Sequence, residues 1–270
     1  MSPLEIVLRT DTGLVRAQNE DAVFADDTLG LAILADGMGG YNGGEVASGM
    51  ATTFLASRFS EVVSLGADKA PDASGQHALA AAIRCLIQEA NLTVFNAAQS
   101  QPQYAGMGTT LVLCWFYDNG LYVAHVGDSR LYRLRDGRLQ QMTRDHSLLQ
   151  EQIDHGLIDP AEARSSEIRN LVTRALGVEP ELAVELGHHE VQTGDLFLLC
   201  SDGLNDMLTD EQIEQILAKP VANMAEIADD LIEIANGMGG RDNVSVILVK
   251  VQRHYSAPRH WWQRLRYWLK

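Results

Sequence analysis

Two turn strings decide what kind of sheet this chain can form. Residues 110–117, T-L-V-L-C-W-F-Y, pass through Asp118-Asn119-Gly120 into L-Y-V-A-H-V at 121–126, and residues 130–135 pass through Asp136-Gly137 into 138–142. Asn-Gly and Asp-Gly between apolar runs signal a β-hairpin. Connections this short cannot join parallel strands, which need a crossover of a dozen or more residues. Residues 110–142 are therefore read as an antiparallel meander, which argues against a doubly wound nucleotide fold.

The runs 31–35, 111–117, 196–200 and 244–251 are apolar almost without alternation, so both faces of these strands are covered. Helical spacing appears at Val46, Met50 and Phe54, where Asn42 and Glu45 form a capping pair. It returns at 77–98 through Leu79, Ala82, Ile83, Leu86, Ile87, Ala90 and Val94, after a polar connection at 60–76. Thr209 with Gln212 caps a helix to about Leu217. Asn223 with Glu226 caps another whose stripe is Met224, Ile227, Ala228, Leu231 and Ile234. The economical arrangement is an α+β fold of four layers: an αββα sandwich of two antiparallel sheets flanked by helix pairs. Residues 4–10 and 14–17 read as a hairpin or the start of a sheet. Residues 147–170 are polar, with a short helix ending at Gly156, and read as a small flap. The domain is assigned to residues 1–252 and a separate tail to 253–270.

Between Leu31 and Glu45 an apolar run ends at Asp36 and gives way to glycines at 37, 39, 40, 43 and 44. Such a backbone can approach a bound species closely. An ordinary glycine turn and a nucleotide loop are the other readings, although neither G-x-G-x-x-G nor G-K-[ST] is present.

Acids elsewhere weigh on that choice. Asp36, Asp128 and Asp202 each follow an apolar strand, and Asp242 precedes one. In an antiparallel sheet these ends share a rim, so all four can converge. Glu20 and Asp21, in N-E-D after Arg16, would by themselves pass for solvated surface charge. Carboxylates gathered away from water are unfavourable unless a cation neutralises them. Oxygen ligands without His or Cys at ligand spacing point to Mg²⁺ or Mn²⁺ rather than zinc. The formal charge of −15 argues against nucleic acid as a partner. The three cysteines, Cys85, Cys114 and Cys200, lie in apolar runs without C-x-x-C spacing and read as reduced core residues of a cytoplasmic protein. No signal pattern opens the chain, and no apolar run approaches the ~18 residues of a membrane span.

The strings R-x-x-N-E-D, A-D-G-M-G-G, G-x-T-x-V, V-G-D-S-R, M-T-R-D-H-S at 142–147, L-x-x-R-A-L-G, S-D-G-L and D-N-V-S occur in that order from about residue 5 to 251. Together they resemble the bacterial metal-dependent Ser/Thr protein phosphatases of the 2C class. The resemblance implies a β-sandwich with a binuclear Mn²⁺ or Mg²⁺ site at one end. Asp36 corresponds to the carboxylate bridging both metals, and the Gly37 carbonyl to a backbone ligand. Asp202 and Asp242 correspond to ligands of the first metal. Glu20 or Asp21 would serve the second, directly or through water. Asp128 corresponds to the residue that, with Asp202, holds a weaker third metal. Arg16 matches the phosphate-binding arginine, and a guanidinium fork suits a phosphate dianion. Two such metals make hydroxide available near neutral pH and clamp an in-line displacement at phosphorus, so no phosphoenzyme is needed. Consistent with that, no Cys-x5-Arg string is present.

One position departs from the eukaryotic pattern: Met38 stands where many members have the His proposed to protonate the leaving group. His125 and His146 are weak replacements, and a metal-bound water is the favoured donor. The implied substrates are phosphorylated proteins, with a bacterial Ser/Thr kinase and its targets as partners and a monomer as the working form. A catalytically silent phosphoprotein-binding module on the same fold is the competing class.

Five of the 21 basic residues and none of the 36 acidic ones lie in 253–270. At 100° per residue Trp261, Trp262, Leu265, Trp268 and Leu269 share one arc, with Arg264, Arg266 and Lys270 outside it. Such a segment can lie on an anionic inner-membrane face, dock to a partner protein, or pack on its own acidic domain.

Overall fold

The computed structural model describes residues 2–40, 43–66, 73–159, 171–219 and 223–255. In chain order the elements are β1 (Leu4–Asp11), β2 (Asp21–Asp26), β3 (Leu31–Met38), α1 (Gly43–Gly66), α2 (Ala73–Ser100), β4 (Gly108–Thr109), β5 (Leu111–Tyr117), β6 (Gly120–Val126), β7 (Arg130–Arg135), β8 (Arg138–Gln141), α3 (Leu148–Asp154), β9 (Glu185–Glu190), β10 (Leu196–Cys200), α4 (Asp202–Asn205), α5 (Asp210–Leu217), α6 (Met224–Gly237) and β11 (Val244–Val251). The first sheet runs β1-β11-β10-β7-β8 and the second β2-β3-β5-β6-β9, with β4 on the end of β3. Every pairing is antiparallel.

The unbroken apolar strands serve two cores at once. Leu34, Val112 and Cys114 meet Leu199, Ile247 and Val249 between the sheets. Their neighbours Ile33, Leu113 and Trp115 face α1 and α2 on the second sheet's outer side. Leu198, Val246 and Leu248 face α5 and α6 on the first. Four layers result, and each buried Leu or Ile contributes about 1.5–3 kcal/mol. Trp115 stacks on Tyr117 at 4.6 Å and meets Phe59 edge-on at 5.2 Å, while its indole N–H donates to the Leu29 carbonyl at 3.2 Å. The α5 capping box and the Asn223 cap of α6 are both formed. Helix α2, over Ala78–Ser100, is long and apolar enough to cross a membrane by length and composition. Its Leu79, Ile83, Ile87, Ala90 and Val94 are instead buried in the core.

Several details differ from the sequence expectations. Residues 4–10 and 14–17 make no hairpin: β1 pairs with β11, and the amides of Leu14 and Val15 donate to the Gly240 carbonyl at 2.8 and 3.2 Å. The meander is divided, because the chain leaves the second sheet after β6 and enters the first at β7, turning at Gly127 with φ +98°. After β5 the two positive-φ residues are Asp118 and Asn119, and Gly120 already belongs to β6. Helix α1 reaches Gly66 and buries Ala47, Ala51, Leu55 and Phe59, while Val46, Met50 and Phe54 pack half-buried beside them. Small alanines let the helix sit close on β3, which moves the deepest stripe one position along. Cys85 is exposed, whereas Cys114 and Cys200 are buried. Of the proposed flap, α3 is present with its Ser147 cap and Gly156 at φ +68°. Residues 160–170, the Asn42 cap and residues 256–270 of the tail lie outside the described residues.

Candidate metal centre

One end of the sandwich gathers the acids. Asp36 lies inside β3 rather than beyond it, directly opposite Asp21 of β2 in the ladder. Asp128 follows the Gly127 turn, Asp202 opens α4 after β10, and Asp242 precedes β11. Strand ends from both sheets thus carry Asp21, Asp128, Asp202 and Asp242 to the neighbourhood of Asp36.

Removal from water, reinforced by the charges of Asp21, Asp202, Asp128 and Asp242, holds the Asp36 carboxyl well above the usual range. Asp202 is held up in the same way by desolvation and by Asp128, Asp206, Asp242 and Asp21. Desolvation and Asp145 push Asp128 up to about 7, although Arg130 opposes the shift. Asp21 is pushed up to about 6, mainly by desolvation, despite a bond from Ser201. Four acids that resist ionising together mark a place built for positive charge.

The recess is rigid around Asp36. Its amide donates to Thr110 Oγ1 at 2.9 Å, and its carbonyl accepts from the Thr110 amide and Thr109 Oγ1, both at 2.8 Å. Thr110 Oγ1 also bonds Ser129 Oγ at 2.7 Å, linking β3 to the residue after Asp128. Ser201 Oγ donates to Asp21 Oδ2 at 2.8 Å, whereas Asp21 Oδ1 is buried with no hydrogen-bond partner. At Gly37 the amide donates to the Glu20 carbonyl at 3.0 Å, and a Cβ would overlap the Gly44 carbonyl of α1. Only glycine permits that approach. Glu20 keeps its carboxylate beside the Gly44 amide and near Arg16, and its pKa is raised chiefly by desolvation.

Arg16 stands exposed at the rim. Its Nη2 donates to Asp242 Oδ2 at 2.7 Å, and Glu20 and Asp202 lie nearby. Asn243, buried after Asp242, receives the Glu20 amide on Oδ1 at 2.8 Å and donates to the Thr12 and Gln18 carbonyls, each at 2.9 Å. It ties the Arg16 loop to β11. Thr110, Ser129, Ser201 and Asn243 lie within or beside strings already noted, yet their residue types alone do not announce a role. A further acid, Asp206, lies beside Asp128 and Asp202. Its only sequence signal is its place four residues after Asp202 in one helical turn.

Residues 15–238 match the family model described as protein phosphatase 2C. The chain belongs to the protein phosphatase 2C family. It is 43% identical over 251 residues to the serine/threonine protein phosphatase PstP of Mycobacterium tuberculosis, covering 92% of this chain and 45% of that protein. This 2C chain therefore spans about half the length of that curated relative. It is 39% identical over 245 residues to the serine/threonine phosphatase stp of Listeria monocytogenes, covering 90% of this chain and 94% of that one. Among solved structures, the catalytic domain of PstP in complex with two manganese ions superposes with a TM-score of 0.79 at 40% identity, covering 93% of this chain and 99% of that chain.

The donor set fits hard cations. All the converging groups are carboxylates, the Asp21 Oδ1 atom has no partner, and no thiol or imidazole enters the recess among the described residues. Met38 closes β3 opposite Gly108 and offers no acid. His125 and His146 are each engaged with backbone, His125 with Arg144 and His146 with Gly127, which argues against either as the leaving-group acid.

Proposed function

We propose that this chain hydrolyses phosphoserine and phosphothreonine in proteins with Mn²⁺ or Mg²⁺. The observation that carries this reading is the packing of Asp21, Asp36, Asp128, Asp202 and Asp242 into one recess where like charges destabilise one another, with a guanidinium at its edge. Asp36, Asp202, Asp242 and the Gly37 carbonyl would hold two cations, with Glu20 or Asp21 completing the second. Asp128 with Asp202 would hold a weaker third. When bound, such cations supply hydroxide near neutral pH and neutralise charge developing at phosphorus.

The chain's own groups do the positioning. Three backbone bonds keep Asp36 from relaxing away from its neighbours. Asp242 holds the Arg16 fork at the rim, where it can take two oxygens of a phosphate dianion and orient the ester bond. With Met38 in place of an acid, no side chain of the recess is assigned to protonate the leaving alkoxide. The substrates are phosphorylated proteins, and the partners are a bacterial Ser/Thr kinase and its targets. A catalytically silent binding module is disfavoured, because every carboxylate position of the motif strings is filled. The test is hydrolysis of a phosphothreonine peptide and of nucleotides with Mn²⁺, with Mg²⁺ and with EDTA. Turnover of the peptide with either metal and none with EDTA supports the reading. Preference for nucleotides, or turnover unaffected by chelation, contradicts it.

A further inference from the structure

Two buried histidines have no part in the centre described above. His125 of β6 and His146, just before α3, are 4% and 6% exposed, and their rings stack at 4.9 Å with planes 12° apart. Glu185 of β9, opposite His125 in the ladder, places Oε2 3.2 Å from His146 Nε2 and 3.5 Å from His125 Nε2. Two imidazoles and a carboxylate so spaced are the donor set of a zinc site.

The hydrogen bonds oppose that reading. His146 Nδ1 accepts the amide proton of Gly127 at 3.1 Å. A neutral imidazole accepting on Nδ1 carries its proton on Nε2, which donates to Glu185 and has no lone pair for a cation. His125 Nε2 is likewise engaged, 2.9 Å from the Arg144 carbonyl and 3.3 Å from the Arg144 amide. Each ring thus braces the segment that carries the other. His146 also donates its own amide to the Gly127 carbonyl at 2.9 Å, so one residue holds both polar backbone groups of Gly127.

Gly127 is where the chain crosses from one sheet to the other, at φ +98° and with Thr110 Cγ2 2.7 Å from where a Cβ would lie. Asp128 comes next. We infer that His146 is a positioning residue that fixes Gly127, and with it the direction from which Asp128 enters the carboxylate recess. Through His125 and Arg144 the same brace joins this crossing to the loop leading into α3. The inference rests on Asp128 belonging to the centre proposed above.

The test uses four variants of the full chain at three sites. His146→Asn keeps an acceptor near the Nδ1 position, whereas His146→Gln reaches toward Glu185 but loses that acceptor. Asp128→Asn reports whether Asp128 belongs to the centre at all. The readouts are amide hydrogen exchange at Gly127 and Mn²⁺ binding by calorimetry. His146→Gln is expected to speed Gly127 exchange at least tenfold and to weaken the lowest-affinity Mn²⁺ step as far as Asp128→Asn does. His146→Asn should stay within about threefold of the wild type in both. Glu185→Gln, at an exposed position, should change neither and keeps the test open if His146→Gln does not fold. Wild-type exchange in His146→Gln, rescue by Gln rather than Asn, loss of Mn²⁺ binding in Glu185→Gln, or Zn²⁺ bound through these side chains would each overturn the inference. Unchanged Mn²⁺ binding in Asp128→Asn would instead refute the place of Asp128, while Gly127 exchange would still judge the brace.

Discussion

Stripping divalent cations from this chain should make its stability fall as pH rises, and the size of the fall can be worked from two residues. An unfolded Asp titrates near 3.8, whereas folding pushes Asp21 to about 6 and Asp128 to about 7. Below the unfolded value both states are protonated and the carboxylates cost nothing. As pH rises through the folded values the unfolded chain has already released its protons, so stability is lost. A shift of two to three units at about 1.4 kcal/mol per unit gives ~3–4 kcal/mol for one such group. The acids titrate together, so this cost belongs to the cluster and is not multiplied by its members. The one to two units that lie between pH 5 and the folded values amount to ~1.4–3 kcal/mol, so at about 2–4 °C per kcal/mol for a domain of this size the melting temperature in EDTA should drop by ~3–12 °C between about pH 5 and pH 7.5. Burial lowers the pKa values of His146, His188 and His189, which gives the opposite slope. Asp128→Asn measured alongside isolates the carboxylate part. It should flatten the fall, and saturating Mn²⁺ should abolish it in the wild type. Parallel curves for wild type and Asp128→Asn, or no gain in melting temperature with Mn²⁺, would refute the reasoning.

Gly37→Ala should cost ~1–3 kcal/mol by overpacking against the Gly44 carbonyl and abolish Mn²⁺-dependent activity, as read by thermal unfolding and p-nitrophenyl phosphate hydrolysis. Arg16→Lys keeps the charge but not the fork, so KM for a phosphopeptide should rise ~10-fold with a smaller change in kcat, measured by steady-state kinetics. For the tail, co-sedimentation of the full chain with anionic vesicles, but not of a chain ending at Gln252, would select the membrane reading from the three; equal behaviour of the two ends it.

Much of the fold was legible because its signals are local. Asp136-Gly137, the Thr209 box and the unbroken apolar strands each specify geometry within a few residues. The β1–β11 pairing was not legible, since it joins residues at opposite ends of the chain and leaves no local trace in Leu4–Asp11. Nor was the change of sheet at Gly127, because a short polar turn looks the same whether the next strand pairs with the last or crosses to the facing sheet. The acids could be named from their strand-end positions, with the motif strings supplying their expected roles. Their supports could not, because Thr110, Ser129 and Asn243 matter through bonds to distant backbone rather than through side-chain chemistry. The His125–His146 brace stayed hidden for the same reason: its partners are backbone groups of the other's segment.

The most direct test of the account is anomalous diffraction at the manganese edge from crystals of this chain grown with Mn²⁺. Two strong peaks are expected within coordination distance of the Asp36 carboxylate, one of them also bounded by Asp202 and Asp242. Peaks elsewhere, or none in the recess at saturating metal, would contradict it.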